Sequence, residues 1–75
     1  MSRRERAILV GPAYLTEREA EALTLLAQGK TTQEIAEDMG NKWTTVNESL
    51  KAIYRKIGAR NRAVAGVLAA KAGLV

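Results

Sequence analysis

Side-chain caps and glycines divide this chain into helices before any apolar residue is considered. Thr16-x-x-Glu19 and Thr31-x-x-Glu34 both have the form of a capping box. In that motif the threonine hydroxyl takes the third helical amide and the glutamate reaches back to the threonine's own amide. A first helix is expected to start at Glu17, with Leu15 closing the turn before it, and a short second helix follows Thr31. Asn61 caps a fourth, running from Arg62 to about Ala72. Gly29, Gly40, Gly58 and Gly73 stand where the helices must stop, because a left-handed residue is least strained as glycine. The third helix runs from about Trp43 to Ile57. Apolar residues recur at helical spacing inside each segment: Ala22, Leu23, Leu26 and Ala27, then Ile35, Ala36 and Met39. The fold class is all-α, with four helices over residues 15–75.

Residues 1–14 read differently, as an N-terminal arm. Ser2-Arg3-Arg4-Glu5-Arg6 is polar and basic, Ala7 to Val10 is strand-like, and Gly11-Pro12 turns the chain. The simplest expectation is a frayed arm resting its apolar residues on the helices. The alternatives are a basic arm reaching nucleic acid, or a short strand pairing across a dimer.

Several function classes fall away on composition. With 75 residues the chain makes one domain, and a domain this small buries only about 60% of the surface its unfolded chain exposes. Self-association or a partner would add burial. Cysteine and histidine are absent, so neither a disulfide framework nor a nitrogen or sulfur metal site is available, and no cofactor is expected. No nucleophile–base pair, phosphate loop or paired carboxylates can be assembled, which argues against an enzyme. The longest apolar run, Ala7-Ile8-Leu9-Val10, is far too short to span a bilayer or to serve as a secretory signal. A cytoplasmic location is expected.

The net charge is +4, modest by itself, but its placement is uneven. Seven of the eight acids lie at or before Asp38, and only Glu48 follows. Lys42, Lys51, Arg55, Lys56, Arg60, Arg62 and Lys71 make the second half basic. Within the third helix Val46, Leu50, Ile53 and Ile57 form one apolar stripe. Thr44, Glu48, Lys51 and Arg55 repeat that spacing displaced by two residues, about 200° around the helix, and so face the other way. A major groove admits a helix anchored on one side and polar on the other. The same pattern suits an ordinary amphipathic helix with a solvated outer face.

A set of motifs narrows the choice. Leu15-Thr16-Glu17-Arg18-Glu19, Gln28-Gly29, Glu34-Ile35-Ala36, Thr45-Val46, Ile53-Tyr54-Arg55-Lys56-Ile57 and Asn61-Arg62 follow one another over about two thirds of the chain. In order and spacing they resemble the LuxR-type (GerE-like) helix-turn-helix domain of bacterial transcription regulators. The resemblance implies a transcription regulator that binds double-stranded DNA, with helix 43–57 reading the major groove. Thr44, Thr45, Asn47, Glu48, Lys51, Arg55 and Lys42 are the candidate DNA-binding residues. Thr44, Thr45 and the free amides of the first turn suit phosphate.

The chain departs from the family pattern at this helix. Asn47 stands where a basic residue is common, and Ser49, near the core boundary, where histidine is usual. Glu48 puts a negative charge on the groove face. The turn holds Asn41 and Lys42 where the family has an apolar residue and a serine or threonine cap, so Asn41 is a candidate to cap the helix early. Trp43 is either a lid over that weakened turn or a contact to DNA or a protein.

The resemblance also implies a homodimer through helix 62–72, with Val64, Gly66, Val67 and Ala70 as candidate contacts. Small residues one turn apart at Gly66 and Ala70 let two helices approach, although alanine also suits any helix. Val64, Val67 and Leu68 are expected to pack on the first and third helices. Most LuxR-type domains follow a receiver or ligand-binding domain, for which this chain has no room, so a stand-alone domain is expected. Two functions remain open. One is a small DNA-binding transcription regulator. The other is a LuxR-like fold repurposed as a protein-binding modulator of another regulator or of the transcription machinery, engaging its partner through Trp43 and Glu48.

Overall fold

A computed structural model describes residues 7–75; the basic stretch Ser2–Arg6 lies outside the described residues. The elements are β1 (Ile8–Val10), β2 (Ala13–Leu15), α1 (Glu17–Ala27), α2 (Thr32–Met39), α3 (Trp43–Ile57) and α4 (Arg62–Lys71). Both capping boxes form. The Thr16 hydroxyl accepts from the Glu19 amide and the Thr31 hydroxyl from the Glu34 amide, each at 3.1 Å. The Asn61 side chain accepts from the Val64 amide at 2.9 Å.

The N-terminal segment rests apolar residues on the helices, as expected of the arm, but its described part is not frayed. It folds back on itself as an antiparallel hairpin, β1 against β2, in the register Ile8↔Leu15, Leu9↔Tyr14, Val10↔Ala13. Alternation explains why it is ordered: Val10 and Leu15 face inward and are fully buried in the same core as the helices, while Leu9 and Tyr14 face out. Gly11 opens the two-residue loop at φ +58°, a conformation such hairpin loops favour. A Cβ there would stand 3.1 Å from the Ile57 carbonyl oxygen and 3.7 Å from Leu68. The loop thus rests on the end of α3 and on α4, and its positive φ together with the close Ile57 carbonyl favours glycine there.

A single core joins these elements. Leu23 and Leu26 of α1, Ile35 of α2, and Val46, Leu50, Ile53 and Ile57 of α3 are buried together. Ala27 and Met39 are only partly buried, and Ala20 and Ala59 join the core unanticipated. The fourth helix needs a larger correction. Ala65 and Ala69 are its fully buried residues, with Val64 and Leu68 packed beside them, whereas Val67 is 54% exposed. Alanines one turn apart let α4 lie close on α1, and at that rotation Val67 points to solvent.

Candidate nucleic-acid interface

The site is built on α2, the turn Gly40–Lys42, and α3. Gly40 ends α2 at φ +68°, and the Asn41 amide bonds back to the Ala36 carbonyl oxygen at 2.9 Å. That pair closes the helix as a Schellman motif does. Asn41 is thereby used at the end of α2 and does not cap α3, contrary to the early start envisaged. Lys42 occupies the cap position, and no side chain bonds the first amides of α3. The first hydrogen bond of α3 runs from Val46 to the Lys42 carbonyl, at 3.1 Å.

Behind the turn is a cleft of about 70 Å³ lined by residues including Ala22, Met39, Asn41, Val46 and Ile53. It lies beside the place where the family pattern puts an apolar turn residue. Trp43 is not among its lining residues, nor among the apolar residues packed on the core. The indole is 47% exposed.

Packing orients α3. Its stripe Val46, Leu50, Ile53 and Ile57 is buried, so Thr44, Glu48, Lys51 and Arg55 are all exposed on the opposite face. Lys42 and Thr45 are exposed at the N-terminal end and Asn47 is half-buried on the flank. Ser49, placed by its sequence position near the core boundary, is exposed although it borders the cleft.

Hydrogen bonding sorts the cations. Lys56 is committed to α1, its Nζ lying 2.9 and 3.1 Å from the two Glu19 carboxylate oxygens. Arg62 donates to the Leu26 carbonyl oxygen at 3.0 Å and to that of Lys30. It supplies a positive charge to the end of α1, whose last turn has none. Arg18 donates to the Met39 carbonyl oxygen at the end of α2, at 3.3 Å, and Lys30 pairs with Asp38 at 2.9 Å. Lys42, Lys51, Arg55, Arg60 and Lys71 make no hydrogen bond or ion pair among the described residues. Arg60, in the loop after α3, is exposed; its composition-level signal was only one basic residue among seven.

Glu19 shows how firmly α3 is tied down behind. Partial burial alone would raise its pKa. The hydrogen bond from Lys56 and that from the Thr16 amide, together with the Lys56 charge and the Thr16 side chain, outweigh burial and hold the carboxyl below its ordinary value of 4.5. The Lys30 ammonium is raised above its ordinary value of 10.5 by the hydrogen bond and charge of Asp38.

On α4, Val67 and Ala70 are exposed and Val64 and Gly66 half-buried. A Cβ added at Gly66 meets nothing within 4 Å. No helix among the described residues is long and apolar enough to cross a membrane.

Residues 13–69 match the family pattern described as bacterial regulatory proteins, luxR family. The chain is 42% identical over 62 residues to the transcriptional activator protein AnoR of Acinetobacter nosocomialis, covering 83% of this chain and 26% of that protein. It is 44% identical over 48 residues to the transcriptional regulatory protein DesR of Bacillus subtilis, covering 64% and 24% of the two chains. A third relative, the transcriptional activator protein PhzR of Pseudomonas fluorescens, is 43% identical over 60 residues, covering 80% and 25%. The chain spans about a quarter of the length of these relatives. With caps, turn and buried stripe arranged as described, and the match reaching from β2 into α4, the chain belongs to the luxR family of bacterial regulatory proteins.

Proposed function

We propose that this chain binds double-stranded DNA as a cytoplasmic transcription regulator, with α3 in the major groove and a second copy joined through α4. The observation that carries the reading is the outward face of α3. Lys51 and Arg55 are exposed there without internal partners, opposite a stripe of four buried residues, while Lys56 is drawn back to α1. A helix held so from behind presents its polar face as a rigid unit, which groove reading needs. Lys51 and Asn47 face base edges, Arg55 and Arg60 face phosphate, and Lys42, Thr44 and Thr45 hold phosphate at the first turn. Glu48 suits the amino group of a cytosine. Val64, Gly66, Val67 and Ala70 form the contact between copies, which sets two reading helices on two half-sites.

Salt-dependent binding to duplex DNA tests the reading. Log affinity should fall linearly with log salt, with a slope of about 0.9 per phosphate neutralised. Arg55→Ala and Arg60→Ala should each lower that slope by about one unit, whereas Lys51→Ala should also relax base preference. No duplex binding at low salt, or unchanged binding in all three variants, overturns it.

A further inference from the structure

Trp43 is the first residue of α3 and the only tryptophan of the chain. Roughly half its surface is in water, and the cleft beside Asn41, which an apolar lid would fill, is lined by other side chains. An exposed indole can supply contact area at a surface at low conformational cost, because it combines apolar area with few rotatable bonds. The setting says which surface. Among the described residues the other large exposed apolar ones are Leu9, Tyr14, Val67 and Val75, which lie on the hairpin, on α4 and at residue 75. On α3 the indole is alone, next to exposed Lys42 and Thr44, with no acid in the first turn. A protein-binding hot spot sits within a patch that excludes water, whereas one apolar ring beside a hydroxyl and a cation matches the mixed edge of a base pair beside phosphate.

One base edge in the major groove offers an apolar group: the 5-methyl of thymine. Asn47 lies one helical turn from Trp43, on the same side of the helix. Its carboxamide has the acceptor and donor that match N6 and N7 of adenine. Neighbouring side chains on one flank of α3 thus carry the two complements of A·T sequence. We propose that Trp43 is a specificity-determining residue that packs on a thymine methyl group in each half-site. This rests on the DNA reading above and adds a base identity to it.

A cycle of protein and DNA changes tests the contact. Duplexes selected by the protein from a random pool are resynthesised with each thymine replaced singly by uracil, which removes only the methyl. Wild-type protein should lose affinity at one thymine per half-site, about fourfold, the factor for one buried methyl-sized group. Trp43→Ala should bind the thymine and uracil duplexes equally, at an unchanged salt slope. Such non-additivity marks a direct contact. The indole's fluorescence in the unmodified chain should also differ between the two complexes. Indifference of the wild type to every uracil overturns the proposal, and so does a Trp43→Ala variant that keeps the discrimination while losing only thermal stability. Failure to bind any duplex at low salt overturns the DNA reading as well; thymine indifference with intact binding leaves that reading standing.

Discussion

Glu48 is the acid on the outward face of α3, and no hydrogen bond or ion pair occupies it among the described residues. Near phosphate such a charge is costly: two unit charges 4 Å apart in water interact by about 1 kcal/mol. Glu48→Gln should therefore raise affinity for random duplex several-fold at low salt, as measured by fluorescence anisotropy. If the carboxylate accepts from a cytosine, preference at that base should weaken in the same variant. A variant whose random-duplex affinity is unchanged would place Glu48 away from the DNA. Lys51 and Lys56 show what sequence conveys at this scale. Both are basic residues of one helix, five positions apart, and both counted towards a positive surface. Only the fold separates them, because Glu19, the partner of Lys56, lies 37 residues away in sequence. Charge is legible residue by residue, but its availability depends on contacts between distant parts of the chain.

α1, α2 and α4 each begin on a local side-chain cap, which is why their starts could be read from sequence. A capping box spans four residues and needs no tertiary partner. The hairpin was less legible, because strands of three residues are too short for alternation to stand out. The start of α3 is the weakest terminus, since Lys42 supplies no acceptor to its amides. Lys42→Ser should stabilise the domain by about 1 kcal/mol, raising Tm by roughly 4–8 °C for a chain of this size. Because the same change removes a free cation, duplex affinity should fall; a rise in both would remove Lys42 from the phosphate contacts. The start of α1 behaves differently. Its Glu19 carboxyl is held below the ordinary value of 4.5, so the folded state favours the charged form. That contribution is complete above the ordinary value and disappears as pH falls through the lowered one. In urea titrations, wild type and Glu19→Gln should differ most near neutrality and converge below pH 4.5. A constant difference down to pH 3 would assign the loss to packing.

For the molecule as a whole, α4 carries the prediction. Added atoms at Gly66 meet open space in the single chain, so Gly66→Ala should stabilise the helix by up to about 1 kcal/mol. If α4 joins two copies, Gly66→Leu should split the dimer while leaving each copy folded. Affinity for a duplex with two half-sites should then drop far more than affinity for one half-site, because the second contact loses its effective concentration. Sedimentation of wild type and variant gives the oligomeric state, and a wild type monomeric at high micromolar concentration would remove the dimer. The inward placement of Ala65 and Ala69 was not legible, since small residues fall on every side of α4 and leave its rotation undetermined. The polar ties between helices all involve α1. Arg18 of α1 reaches the end of α2, Lys56 of α3 reaches Glu19, and Arg62 of α4 reaches Leu26. α1 is thus the common frame to which α3 and α4 are each fastened. In a dimer through α4, the distance from the twofold axis to the groove would be measured along α1. Loosening Arg62 or Glu19 would then blur the tolerated spacing between half-sites while leaving the letters read within each one unchanged.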